Sequence, residues 1–141
     1  MMDPKVKEAI YEAVKTEPLA KLHNMELKDL SLGYSVVEMT YDPATMDNIY
    51  QRAHGGAVYA LIDEAFETSC QTHGTIAVAL NVNVTYVASP EPGARLRAES
   101  REKSLTKKTA TYDINVTDLD GRLIAMCHAL AFRTGKPIPF V

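Results

Sequence analysis

The sequence predicts an α+β fold: an antiparallel sheet with one long helix available to cover its apolar face. Three observations lead there. Apolar residues recur at helical spacing in two segments, one at the N-terminus and one in the middle of the chain. From Thr75 onward the period changes to two, in four stretches separated by turn signals. Those stretches follow one another through short turns, the connection antiparallel neighbours use. With 141 residues, 46% of them hydrophobic, the chain can build a core without metals or disulfides, and it reads as a single domain spanning 1–141.

Asp3-Pro4 is an N-cap and N1 pair, and Val6, Ile10, Ala13 and Val14 then repeat along one face until Pro18 ends the pattern, giving a helix over 3–16. The β-branched and aromatic run LSLGYSVVEMTY, 30–41, reads as a first strand ending at Asp42-Pro43. Residues 42–53 are polar and irregular. The central helix spans about 55–71, with His73-Gly74 ending it. Val82, Val84 and Tyr86 alternate with polar neighbours. So do Leu96 and Ala98, then Ala110, Tyr112, Ile114 and Val116, and a last strand begins at Arg122; the breaks fall at SPEPG, SLTKK and DLDG. No repeat or linker interrupts this order.

Net charge is −3 with bases scattered among acids, which excludes the basic stripe of a nucleic-acid binder. The N-terminus lacks the features of a secretory signal, and no apolar run approaches the roughly 20 residues that span a bilayer, so a cytoplasmic, membrane-free protein is expected. Cys70 and Cys127, far apart in apolar surroundings, read as buried free thiols, and no metal-ligand spacing is present.

The chemistry concentrates in HGGAVYALIDEA, 54–65. On a helical wheel Glu64, Glu67 and Gln71 occupy a wet arc, while Val58, Leu61, Ile62, Ala65 and Phe66 cover the rest. Asp63 therefore stands on a largely apolar helix, where a carboxylate is suited to act as general base or nucleophile in acyl transfer. Gly55 and Gly56 bare the first-turn amides, a ready site for a developing oxyanion, and Tyr59 frames the face that Gly56 shares with Asp63. Singly, a glycine pair more often serves packing or capping, a histidine before a helix is more often structural, and a lone acid is as readily structural as catalytic; it is their combination that carries weight. Gly56 and Asp63 are seven residues apart, roughly 10 Å along the axis, too far to touch one carbonyl. The arrangement works when a second copy of the helix runs antiparallel alongside.

These residues resemble the hotdog-fold acyl-CoA thioesterases, in the phenylacetate-pathway (PaaI-like) branch. That branch carries an Asn, then His-Gly-Gly six positions later, then an Asp nine positions after the His; here these are Asn48, His54-Gly55-Gly56 and Asp63. The similarity runs over about 30–134 and includes NVNVTYVASPEPG and DLDGRLIAMCHALAF. It implies a curved antiparallel sheet wrapped around the central helix, homodimers or homotetramers with active sites at the dimer interface, and hydrolysis of an acyl-CoA to free acid and coenzyme A. No cofactor is implied beyond the coenzyme A of substrate and product. By position, Asp63 is the catalytic acid of one subunit, the Gly56 amide of the other polarises the thioester carbonyl, Asn48 positions the thioester or water, and His54 holds the loop.

Two departures from the family pattern matter. Ala79 stands where some members carry Ser or Thr to hold the water, leaving Asn81 and Thr85 as substitutes, and the loop before His54 lacks the family's glycine. Arg101, Lys103, Lys107 and Lys108 are the candidates for the coenzyme A phosphates. Met46, Ile49, Tyr59 and Phe66 are candidate pocket residues for a small aryl or short-to-medium acyl group. The rival readings are a 3-hydroxyacyl thioester dehydratase and a non-catalytic acyl-CoA sensor. The first uses a different His pattern, and the intact Asp63 argues against the second. Long alternating strands also leave edges that pairing in a homo-oligomer removes.

Overall fold

The computed structural model describes all 141 residues. Helix α1, Pro4–Thr16, starts where expected: the Asp3 carboxylate accepts the Lys5 amide at 2.9 Å, and Val6, Ile10 and Val14 form its buried stripe. Pro18, which ends that pattern, also opens a second short helix, α2, Pro18–Leu22.

The single strand expected over 30–41 is two. Strands β1, Glu26–Ser31, and β2, Tyr34–Thr40, form a hairpin whose turn is made by Leu32 and Gly33, with Gly33 at φ 67. A side chain at Gly33 would also meet Glu102 Cβ at 2.8 Å, so glycine is required twice over. A helical turn, α3, Pro43–Met46, follows.

The central helix α4, Gly55–Cys70, matches its expected span, and a 3₁₀ turn, Gln71–His73, leads to Gly74 at φ 76. Strands β3, Thr75–Tyr86, β4, Arg95–Leu105, β5, Thr109–Asp118, and β6, Leu123–Pro137, complete one antiparallel sheet in the order β1-β2-β4-β5-β6-β3. Consecutive strands are therefore not always neighbours. β3 lies at the far edge beside β6, and the segment 87–94 carries the chain back across, its ends tied to Ile124 O and to Tyr41.

The sheet curves around α4. Inward residues of β6 are Ala125, Cys127, Ala129 and Ala131, small enough to let the helix approach. Larger groups from β4 and β5 meet Leu61, Ile62 and Phe66, and the Phe66 and Tyr112 rings are 5.5 Å apart. Closeness at the helix is also polar: Ser35 Oγ donates to Ala65 O at 2.7 Å, and Ser69 and Ser100 share a 2.7 Å hydrogen bond. Every one of these buried hydroxyls is paired, as burial demands. Both cysteines are buried free thiols.

One wheel assignment is wrong. Glu64 was expected on the wet arc, yet only 3% of it is exposed, because the α1–α2 junction at Glu17 lies over it. At the other edge of the sheet, β3 pairs only with β6 and leaves Val78 and Leu80 half exposed. No helix is long and apolar enough to cross a membrane.

Candidate active site

The segment leading into α4 is built by hydrogen bonds of its own residues. Asn48 Oδ1 accepts the amides of Tyr50 and Arg52 at 2.9 and 3.2 Å, closing a tight loop in which Gln51 adopts φ 58. The Asn48 side-chain oxygen is thus committed to the loop, and its amide nitrogen is the group left to donate outward. The loop tip lifts Ile49 and Tyr50 into solvent, 89% and 77% exposed.

His54 is the N-cap of α4, and its Nδ1 accepts the Gly56 amide at 3.0 Å. The Gly56 N–H, expected to polarise a substrate carbonyl, is thus satisfied within the chain. The amide that has no acceptor is that of the preceding residue, Gly55. The Gly55 carbonyl in turn accepts the Tyr86 hydroxyl at 2.9 Å, and a Cβ on Gly55 would stand 3.2 Å from that hydroxyl and its ring carbon. Glycine at position 55 lets an aromatic ring from the end of β3 rest on the peptide and fix it. Tyr86 was visible in the sequence only as an inward strand position; its hydroxyl at the end of an alternating run was the available signal.

Asn48, Arg52, Gly55, Tyr86 and Ser89 line a cavity of about 410 Å³ that opens to solvent. Asp63 does not line it. The Asp63 carboxylate lies eight residues beyond Gly55, roughly 12 Å along α4. It is half-buried and takes part in no ion pair of this chain. Burial first, and then the charge of Glu17, holds it above the ordinary carboxylate range, which makes it a stronger base than a solvated carboxylate. Tyr59, one turn earlier and 37% exposed, has its phenol raised by burial and then by Asp63.

The remaining expected site residues are not gathered here within one chain. Alternation along β3 turns Val82 and Val84 toward the core and Asn81 to the outer face, where it bonds to Asn83. Thr85 lies on that outer face too, beside Met126 and His128. Arg101 is also on the outer face, its Nε donating to Glu99 at 2.7 Å and its guanidinium 4.6 Å above the Tyr34 ring; Lys103 lies 3.8 Å from Asp113. Lys107 and Lys108 adjoin Thr109, which pairs with Phe132 and through it with Val78. Tyr86 is eight residues further along β3, so those lysines stand at the opposite end of the sheet, roughly 26 Å away. The basic residue at the cavity is Arg52, which sequence reasoning passed over as part of an irregular loop. Of the expected pocket residues, Phe66 and Met46 are core, at 2% and 4% exposure, while Ile49 and Tyr59 face solvent.

The thioesterase superfamily profile matches residues 50–125, the stretch from the Asn48 loop through α4 to β6. A protein of Archaeoglobus fulgidus described as a candidate esterase is 32% identical over 138 residues, 98% of this chain and 87% of its own. The acyl-coenzyme A thioesterase PaaI of Escherichia coli is 29% identical over 130 residues, 92% of this chain and 90% of its own. The solved structure of the E. coli PaaI protein, from the phenylacetic acid degradation operon, superposes with a TM-score of 0.91 at 25% identity, covering 98% of this chain and 99% of that one. A Streptococcus mutans structure bound to acetyl-CoA superposes with a TM-score of 0.76 at 25% identity, covering 82% and 92%. Profile, full-length relatives and shared architecture agree, and the chain belongs to the thioesterase superfamily, as a thioester hydrolase of the PaaI-like hotdog branch.

Proposed function

We propose that the protein hydrolyses small aryl or short-to-medium-chain acyl-CoA thioesters, at sites that take Asn48 and Gly55 from one subunit and Asp63 from its partner. The observation that carries this reading is on α4: a free Gly55 amide and a half-buried Asp63 sit about 12 Å apart on one rigid helix, so no single carbonyl reaches both. A second copy running antiparallel brings each to the other's complement. The unpaired β3 edge, with Val78 and Leu80 half exposed, and the solvated Ile49 and Tyr50 supply surface for that partner. The acetyl-CoA held by the S. mutans protein and the activity of the E. coli relative support a coenzyme A thioester, and the latter's operon supports an aryl group.

In this reading the thioester carbonyl accepts the Gly55 N–H, whose peptide Tyr86 and the helix hold in place, while the Asn48 amide nitrogen orients carbonyl or water. Asp63 takes a proton as water attacks the carbonyl carbon, and the oxyanion forms against the amide and the positive end of α4. Collapse breaks the C–S bond. The sulfur receives the proton from Asp63, leaving free acid and coenzyme A thiol, a route that needs no metal. Arg52, at the cavity, is the cation this chain offers to the phosphates.

Thiol release from phenylacetyl-CoA, its ring-hydroxylated analogues, hexanoyl-CoA and palmitoyl-CoA tests the reading. The first three should be turned over, and Asp63→Asn should lower turnover by roughly 10²- to 10⁴-fold without unfolding the protein. Full activity in that variant, or hydrolysis of palmitoyl-CoA alone, would overturn it.

A further inference from the structure

Away from the cavity, α4 takes part in a second cluster. Glu17, at the junction of α1 and α2, does not use its side chain to cap α2. Its carboxylate instead meets those of Glu64 and Glu67, one oxygen from each lying within 4.8 Å of the others. Glu64 is 3% exposed, and its Oε1 has no hydrogen-bond partner. None of the chain's ion pairs includes any of the three.

The neighbouring polar side chains make their hydrogen bonds elsewhere. Thr68 Oγ1 donates to the carbonyls of Glu64 and Ala65, Thr16 Oγ1 to Ala13 O, and the Gln71 amide is doubly bonded to the Ala77 backbone. An ionised carboxylate only accepts, so a buried one without a donor must either hold a proton or have a positive charge set against it. Beside the triad lies an open cavity of about 330 Å³, lined by Thr16, Glu17, Glu67, Thr68, Gln71 and Phe140 among others, through which a hydrated ion can enter.

We propose that Glu17, Glu64 and Glu67 bind one hard divalent cation, which staples the N-terminal segment to the central helix. An all-oxygen donor set without sulfur or imidazole selects calcium, magnesium or manganese over softer metals. Calcium takes oxygens at about 2.3–2.6 Å, which sets ligand oxygens around one ion roughly 3–5 Å apart, the spacing of this triad. Waters in the cavity complete the shell. The ion lies outside the hydrolytic route, which runs through Asp63 and the Gly55 amide.

Full-length protein stripped with chelator and dialysed, then titrated with calcium, magnesium or manganese chloride by calorimetry and by thermal melting, tests the site. One ion per chain should bind, the Tm should rise with it, and the tightest of the three salts names the ion. Glu64→Gln should abolish the Tm response, and Glu67→Gln, on the exposed rim, should weaken binding about tenfold or more, on the scale of losing a ligand contact. Should Glu64→Gln fail to fold, the Glu67→Gln titration decides alone. No binding by the wild type up to about 10 mM, beyond the weak end of protein calcium sites, would overturn the proposal. So would equal binding by wild type and variants.

Discussion

Two inactive variants should restore each other. Asp63→Asn keeps the shape of the side chain but removes the base. Gly55→Val attacks the other half of the site: a Cβ there already stands 3.2 Å from the Tyr86 ring and hydroxyl, so the two further methyls must displace Tyr86 and fill the place of the incoming carbonyl. Position 55 is the first residue of α4 and has no positive φ, so valine breaks no backbone requirement. Each variant alone should fall at least about 10²-fold in kcat, the scale of losing a general base or an oxyanion donor. In a mixed dimer, one site combines intact Gly55 with intact Asp63, and the other combines both defects. Equal mixing with full exchange makes half the dimers mixed, so a two-fold assembly should recover about one quarter of wild-type activity. Thiol release followed over time, with exchange monitored by native mass spectrometry, makes the measurement. If mixed dimers form and activity stays at the level of the parents, the division of the site between chains is wrong.

Three smaller perturbations follow from the same geometry. Tyr86→Phe removes the hydroxyl that fixes the Gly55 carbonyl at 2.9 Å; loss of one such bond, about 1 kcal/mol, should lower kcat/KM roughly fivefold while thermal melting moves little. Gly33→Ala forces a side chain into φ 67 and to within 2.8 Å of Glu102 Cβ, and should cost about 1–3 kcal/mol in urea unfolding with catalysis intact. Burial alone would raise the Glu99 carboxyl, but hydrogen bonds from Arg97 and Arg101 outweigh it and hold it below its ordinary value. A depressed folded pKa contributes stability that is present above the unfolded value and lost as pH falls, so wild-type Tm should drop between about pH 5 and pH 3, and Glu99→Gln should flatten that drop.

What the sequence discloses is periodicity, and what it conceals is which distant segment meets which. The Asp3-Pro4 cap, the glycine-opened central helix and the four alternating strands are local signals, and the structure has them at those places. Leu32-Gly33 hides because it interrupts a β-rich run for only two residues, and the polar β1 before it looks like loop until pairing with β2 gives it a face. A helical wheel describes only its own helix, so it assigned Glu64 to water; Glu17, 47 residues earlier, takes that water away. Strand order has the same character: nothing local says that β3 pairs with β6, and that pairing separates the turn lysines from Tyr86. At the helix start, two free amides are expected of any Gly-Gly, and only the direction of the His54 ring decides that Gly56 is capped and Gly55 is left open. Asp63 is the residue whose position was legible and whose reason was not. The side chains of its own subunit give it burial and the repulsion of Glu17, both of which oppose its charge, and no basic side chain in ion-pair contact. A carboxylate kept under those terms, with an unpaired strand edge on the same chain, is what the mixed-variant experiment puts to the test: under the proposed reading, its use lies in what a neighbouring subunit and the substrate bring to it.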